Sequence, residues 1–413
     1  MTIDGVPWPY MAVTGVRTAV VVGGGPGGLM AAEVMAASGL QVTVVEHMPS
    51  VGRKLLLAGR SGLNLTHSEP IEQMLLRYGP QAARLEPALR AFDGEALRAW
   101  SAGLGEPTFI GTSGRVFPRS LRATPLLRAW LRRLDELGVR IETRTRWLGW
   151  SDGALLFEHA GEQHAAVPEV TLLALGGASW PRVGSDGGWV SLLRGAGVVV
   201  HDLRPANCGV RVAYSNSFAL RQQGEPLKNV ALSVDGVVAR GDMVITTSGL
   251  EGGPVYALSA PIRAAVDRGR AVLMVDLQPD LSVAALADRL GRRRPKDSLS
   301  STLKRTVGLR PPAVAWLREM VDTLLPTDPG ELAVLLKAVP VRLDGVVPID
   351  RAISTAGGVS MDEVDEHFML KRMPGTFVVG EMLDWEAPTG GFLLQATFAT
   401  AVAAARDAVA RGD

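Results

Sequence analysis

Residues 17–46 read RTAVVVGGGPGGLMAAEVMAASGLQVTVVE, and no other stretch constrains the fold as strongly. Thr18 to Val22 form a short apolar run suited to a buried parallel strand, followed at once by a glycine-rich turn from Gly23 to Gly28 that contains Pro26. The next residues, LMAAEVMAASG, are helix formers with a stop at Gly39, and QVTVVE is a second strand ending in Glu46. A β-turn-α-β unit with Gly23-x-Gly25-x-x-Gly28 and an acid closing the second strand is the pattern of a dinucleotide site. The first glycine makes the tight turn, the second admits a pyrophosphate to the backbone, and the third lets helix and strand pack closely. Phosphates then lie at a helix N-terminus, where free N–H groups and the macrodipole favour an anion. Glu46 is placed to accept hydrogen bonds from ribose hydroxyls, with His47 beside it, and a carboxylate there disfavours a 2′-phosphate. The nucleotide is FAD or NAD rather than NADP.

With 413 residues the chain exceeds one ordinary core, so two domains are expected. Its 47% hydrophobic and 21% charged residues belong to a folded protein with ample material to bury. Lys and Arg (43) nearly balance Asp and Glu (42), so no global field draws the chain to nucleic acid or an anionic membrane, and neither partner is expected. A single cysteine, Cys208, and six histidines without ligand spacing exclude a disulfide framework and predict no metal site, which fits a reducing cytoplasm. The opening MTIDGVPWPYMAVTG lacks a basic region followed by an apolar core, so no signal peptide is expected, and Met11 is an alternative start. The nearest approach to a membrane span, residues 18–32, is the glycine-rich unit already described.

Further along, PLLRAWLRRLDELG predicts an amphipathic surface helix, and EVTLLALGG at 169–177 another buried strand. Residues 203–280 carry short alternating strands and predict an all-β region, 281–340 turn helical, GTFVVGEMLDW restores a buried strand, and a closing helix follows. The GRRRPK run at 291–296 is expected to be a solvated loop. Together these predict a discontinuous nucleotide domain, 17–202 with 346–413, around an inserted substrate-side domain, 203–345, that is β-barrel-like with helices.

After the second strand comes GRKLLLAGRSGLNLTHSE, which resembles the GRKLLISGGGRCNLTN signature of a family of bacterial FAD flavoproteins. The functionally named branch of that family is the bile-acid 3-oxo-enone reductases; its other members are NAD(P)/FAD-dependent oxidoreductases. TSGRVFPRSLRATPLLRAWL, LLALGGASWPRVGSDGGW, ITTSGLEGGPVYALSA and AGGVSMDEVDEHFMLKRMPGTFVVGEMLDWEAPTGGFLLQATFATA are similar to further family segments, almost along the full length. GLNLTHSE and GEMLDWEAPTGG are similar to a poorly characterised subfamily. Where the family has Arg-Cys-Asn this chain has Gly62-Leu63-Asn64, so chemistry ascribed to that Arg or Cys does not carry over.

The resemblance implies an α/β, Rossmann-like, glutathione-reductase-like FAD/NAD(P)-binding fold. It implies that Gly23, Gly25, Pro26, Gly27, Gly28 and Glu46 hold the ADP half, with Arg53 and Lys54 along the pyrophosphate and ribityl chain. Asn64 falls near the flavin, Trp147 where relatives contact adenine through the backbone, and Gly176 and Gly177 at a bend near the cofactor. Gly380, Glu381 and Asp384 meet the ribityl end and phosphates, and Gly390, Gly391 and Phe392 the flavin's pyrimidine edge. Two glycines directly before a helix also give a physical reason: its N–H groups can face the N1–C2=O2 edge, where reduced flavin becomes anionic.

The expected function is hydride transfer through flavin N5, with reduction of a conjugated carbonyl compound as the concrete reading. Two alternatives stand beside it: a flavin monooxygenase, and a non-catalytic or RNA-modification-associated flavoprotein. The halogenase Trp-x-Trp-x-Ile-Pro motif is missing, and Gly380-Glu381 replaces the Gly-Asp usual in hydroxylases. No second strand-GxGxxG-helix unit is present, so NADH or NADPH, if it is the donor, visits the flavin transiently. No residue is assigned as the catalytic acid. His67 is either a proton donor or a loop histidine, and Trp180 and Trp385 line a substrate cavity or pack in the core.

Overall fold

A computed structural model describes residues 6–7, 16–294, 296–321 and 324–411. The expectation of no signal peptide and the alternative start at Met11 fall largely outside the described residues. The chain divides into two compact units, residues 1–204 with 354–413 and residues 205–353, where the sequence placed the edges at 202/203 and 345/346.

The discontinuous unit is built on five parallel strands: β1 (Thr18–Val22), β2 (Gln41–Glu46), β3 (Arg140–Thr143), β4 (Val170–Leu173) and β5 (Thr376–Val378). Their order is β5-β4-β1-β2-β3. The central strands read as unbroken apolar runs because both faces are covered, and Ala19 to Val22 are all buried. Helix α1 (Pro26–Ala37) follows β1 directly, with Pro26 at its first turn and Gly39 in the left-handed region (φ +91°) just past its end. Within α1 the partly buried Glu33 accepts from the indole N–H groups of Trp100 (3.0 Å) and Trp130 (2.6 Å) and pairs with Arg133 (3.0 Å). That carboxylate ties α1 to the helices Gly94–Gly103 and Ala123–Glu136. The latter helix is the amphipathic one expected from the sequence, with its tryptophan turned into the core.

The short helix α2 (Arg53–Ala58) leaves the loop after β2, and the chain closes with α3 (Phe392–Ala410). Eleven of the 19 residues of α3 are buried, six of them alanines, so this helix lies close against α1. An antiparallel meander, Thr145–Ser151, Ala154–His159 and Glu162–Ala166, and a small sheet of Thr66–His67, Arg115–Pro118 and Thr108–Ile110 complete the unit.

The inserted unit holds a seven-stranded sheet whose edge strands are Val339–Arg342 and Gly345–Val346. Only Leu343 and Asp344 separate them in the chain, so the two edges of the sheet come together and the sheet curls like a barrel. Four helices between 283 and 337 pack on it around the buried Trp316. One expectation needs correction: 203–280 is not all-β but also contains helices Asn216–Gln222, Gly253–Ala257 and Ser259–Asp267. Ser215 caps the first by accepting from the Phe218 N–H, a local signal that outweighed the alternating pattern. Cys208 is buried in this unit. Among the described residues no helix is long and apolar enough to cross a membrane, and no group of His, Cys, Asp or Glu is disposed to hold a metal ion.

Candidate functional site

The glycine turn owes its shape to close contacts on both sides. Gly23 has φ +110°, and a Cβ there would lie 2.4 Å from the Ala174 carbonyl oxygen; a Cβ at Gly28 would lie 1.9 Å from the Gly23 oxygen. At Gly25, the residue before α1, a Cβ would meet nothing within 4 Å, and no side chain caps the helix. The turn is thus packed where strand and helix cross and open in front of the helix N-terminus. Gly27 faces Thr397 and Val379 from the C-terminal segment.

Glu46 closes the turn from β2. Its carboxylate accepts from the Gly24 N–H (2.9 Å) and the Met48 N–H (2.8 Å), and the His47 Nδ1 stands 3.3 Å away. A depression opens beside it, lined by Val22, Gly23, Val45, His47, Trp147 and Leu175 among others. The structure therefore brings His47 and Trp147, a hundred residues apart in sequence, to the same hollow as the first glycine. Trp147 is buried, its ring set edge-on to Trp150, and its indole N–H has no partner.

A second cluster joins both ends of the chain. The Lys54 Nζ donates to the Glu381 Oε2 (2.6 Å) and the Ser179 Oγ (2.8 Å). Glu381 also accepts from the Gly177 N–H (3.3 Å) and the Thr355 N–H (2.9 Å). Gly177 is required here because a Cβ would sit 2.2 Å from the Thr355 Oγ1. Gly176, at φ +70°, lies beside the Ser185 hydroxyl, which is buried without a partner. Gly380, also left-handed, donates to the Thr400 Oγ1 (3.1 Å) and accepts from the Trp385 indole (2.8 Å). Arg53 reaches the Ser50 Oγ (3.2 Å), and its Nε is buried without a partner.

The third cluster surrounds the start of α3. Gly390 and Gly391 have φ +138° and +99°, and a Cβ on Gly391 would stand 2.4 Å from the Thr66 carbonyl. Asn64 donates to the Thr66 carbonyl (2.8 Å) and the Val116 carbonyl (3.1 Å), fixing the strand against which that turn rests. The Thr66 hydroxyl donates to the Gln395 Oε1 (2.7 Å), and the buried Tyr78 hydroxyl donates to the Phe392 carbonyl (2.9 Å).

Asp384 stands apart from the Lys54 cluster. Its carboxylate accepts from the Gly357 N–H, and His201 lies 3.7 Å away. Burial holds this carboxyl above its ordinary range; the His201 charge opposes the rise and Glu386 adds to it. A carboxyl raised on folding destabilises the fold when ionised, and the penalty disappears as pH falls through its folded-state value. Asp384→Asn is therefore expected to raise the melting temperature of the cofactor-free protein at neutral pH, and the gain should vanish as pH falls through the normal carboxylate range. Thermal melts from pH 7 down to 3.5 check this, and an unchanged or lowered melting temperature at pH 7 contradicts it.

Single-residue expectations resolve as follows. His67 has both ring nitrogens engaged: Nδ1 accepts from the Glu69 N–H (3.2 Å) and Nε2 faces the Ser113 carbonyl (3.0 Å). Both contacts hold the ring at the end of the strand Thr66–His67. Trp385 is buried in the core, whereas Trp180 is 39% exposed. Sequence reasoning missed Ser179, Ser185, Thr355, Thr66, Tyr78 and Gln395. A hydroxyl in a glycine-rich loop was the available signal for Ser179 and Ser185; the others become visible only through contacts distant in sequence.

The profile of the HI0933-like protein Rossmann domain matches residues 17–407. The chain is 27% identical to the 3-dehydro-bile acid Δ(4,6)-reductase of Clostridium scindens, over 95% of this chain and 98% of that protein. It is 22% identical to the ribosomal RNA dihydrouridine synthase of Escherichia coli, again over 95% and 98%. Among solved structures, the 3-ketosteroid-Δ4-(5α)-dehydrogenase of Rhodococcus jostii RHA1 shares the fold with a TM-score of 0.52 at 16% identity, covering 98% of this chain and 99% of that one. A flavocytochrome c3 fumarate reductase in an open conformation also gives 0.52 at 13% identity, covering 95% and 78%.

Proposed function

The chain belongs to the HI0933-like family of Rossmann-fold, FAD-dependent oxidoreductases, and from that premise we propose that it saturates an alkene conjugated to a carbonyl group. One observation carries the reading. The two relatives aligned end to end with this chain have names that describe the same bond change on different molecules. A 3-oxo-Δ4,6 steroid and the uracil ring each present a C=C next to C=O, and reduction of either adds hydride at the carbon β to the carbonyl and a proton at the α carbon.

The residues present fit FAD. An uncapped helix N-terminus opens at Gly25, where a Cβ would meet nothing within 4 Å, and buried donors without partners stand at Ser185, Arg53 and Trp147. When bound, FAD supplies a two-electron carrier that takes hydride from a donor and gives it to an acceptor. In this reading the N–H groups of Gly25, Gly27 and Gly28 would hold the pyrophosphate, and Glu46 would exchange its Gly24 bond for ribose hydroxyls. Lys54, oriented by Glu381 and Ser179, offsets phosphate charge, and the Ser185 hydroxyl finds its acceptor on the cofactor. The first N–H groups of α3 would serve the pyrimidine edge, where negative charge accumulates on reduction. Asp384 serves the ribityl end indirectly, through the Gly357 backbone it accepts from. NADH or NADPH supplies the electrons.

The test is an anaerobic visible spectrum. The flavin band near roughly 450 nm should bleach with NADH or NADPH and return, still without air, on adding a 3-oxo-Δ4 steroid or a uridine-containing RNA. Bleaching followed by recovery only in air removes the reductase reading and leaves an oxidase or monooxygenase; failure of either donor to bleach it removes the nicotinamide step.

A second reading, in which the alkene is uracil within RNA, is favoured by one feature that whole-chain charge conceals. Residues 289–310 of the inserted unit carry eight Lys or Arg against the single acid Asp297, and all eight cations are exposed. Phosphate neutralisation by such a segment makes binding steeply salt-dependent. In the anaerobic test RNA should then reoxidise the flavin at low salt and the steroid should not.

A further inference from the structure

The segment from His67 to Tyr78 lies against the start of α3 with more polar machinery than packing requires. Glu69, its side chain only 7% exposed, accepts from Arg77 in bidentate fashion, Nη2 to Oε2 at 2.7 Å and Nε to Oε1 at 3.0 Å. The Arg77 guanidinium lies 5.6 Å from the centre of the Phe392 ring, and the His67 ring lies 5.1 Å from it, tilted by 32°. Phe392 is the first residue of α3, so its ring is held by this trio while its carbonyl is held by Tyr78. Burial, and next the Glu69 charge, keep the Tyr78 hydroxyl protonated far above neutral pH, so it remains a donor.

An apolar cluster could fix the Phe392 ring at lower desolvation cost, because a largely buried carboxylate is expensive unless closely paired. What the ion pair adds is direction. The planar guanidinium fork admits one orientation toward the carboxylate, and the same plane then lies at the aromatic ring. On the other side the Gly391 backbone lies so close to the Thr66 carbonyl that a Cβ there would stand 2.4 Å from it. The first turn of α3 is thereby located from both sides, and its N-terminal N–H groups are left without a side-chain cap.

We propose that the Glu69–Arg77 pair is a positioning device for the N-terminus of α3: by holding the Phe392 ring against His67 and Arg77, it keeps the leading N–H groups of that helix aimed at the pyrimidine edge of FAD and so favours the reduced over the oxidised flavin. This rests on the cofactor placement proposed above. Neither residue touches substrate, and neither transfers a proton; their effect passes through the helix.

The test uses the full-length holoprotein with Arg77→Met, Arg77→Lys and Glu69→Gln. Two quantities are read without substrate: the Kd for oxidised FAD from fluorescence quenching, and the two-electron midpoint potential from dye-coupled reductive titration. Arg77→Met and Glu69→Gln should each lose about tenfold in preference for reduced flavin, equivalent to a potential lower by about 30 mV, while oxidised FAD binds within about threefold of wild type. Arg77→Lys, which keeps charge but loses the fork, should fall between. A lowered melting temperature with an unmoved potential means the trio is only a fold element and overturns the proposal. Wild-type protein that takes up no FAD overturns the cofactor reading itself, a failure distinct from an unmoved potential. Should Arg77→Met fail to fold, Arg77→Lys and Glu69→Gln decide the matter by the same two readouts.

Discussion

Gly28→Val protein is expected to purify without flavin, with FAD affinity at least about a hundredfold weaker than wild type and a fold destabilised by about 1–3 kcal/mol. Even a single β-carbon at this position would sit 1.9 Å from the Gly23 carbonyl oxygen and 3.1 Å from the Val21 side chain. The carbonyl cannot yield, because the Gly23 N–H is bonded to the Val45 carbonyl (2.8 Å) and the residue continues a strand buried from Ala19 to Val22. The start of α1 has to lift from the sheet, and the N–H groups proposed to hold the pyrophosphate lift with it. Gly25→Ala is the matched control: its β-carbon meets nothing within 4 Å, so the fold should keep its melting temperature while the methyl group occupies the space in front of the helix. The ratio of absorbance near roughly 450 nm to that at 280 nm, read beside a thermal melt, separates the two variants. A yellow Gly28→Val protein of normal stability would contradict the packing argument.

The second large effect is expected at Glu381. Truncation to alanine leaves the Lys54 ammonium and the N–H groups of Gly177 and Thr355 without their shared acceptor, in a place where the carboxylate is 16% and the lysine 27% exposed. Removing one partner of a largely buried charged pair costs more than the pair is worth, because the other charge is stranded. With the discount that partial exposure demands, Glu381→Ala should destabilise the protein by about 2–4 kcal/mol in urea unfolding. Adding Lys54→Met should restore part of the loss, since the stranded charge is then gone. The coupling in that double-mutant cycle should exceed about 1 kcal/mol, and purely additive effects would show that the pair contributes no specific energy.

These two sites also mark how far the sequence can be read. The unit around Gly28 is coded within thirty consecutive residues: apolar strand, glycine turn, helix, strand, acid. Every physical requirement is local, and the strand and helix boundaries follow from it. The Lys54–Glu381 pair spans 327 positions, and nothing in spacing or periodicity links its members. Family resemblance supplied the two residues separately; their contact, and the Ser179 hydroxyl and Thr355 N–H that complete it, depend on the chain returning after the insert. His47 and Trp147 show the same division, each named from the sequence and joined only by the hollow they line. In the inserted unit the alternating pattern was read correctly as sheet, but short helices such as Ser259–Asp267 were lost to it because the residues that bury their apolar faces lie in distant strands.

The order of strands in the parallel sheet has a consequence for synthesis. Strand β5, Glu381 and all of α3 are translated after the inserted unit, so the ribosome must add 205–353 before the segments that complete the first core exist. At about 5–20 residues per second that interval is on the order of seven to thirty seconds. Throughout it the nascent chain presents the edge of β4 and the apolar side of α1 without their final cover, and by its end the insert has every residue of its own core. The insert is therefore the part able to fold first, and flavin capture waits for the last sixty residues. The early segment is the client a chaperone would meet.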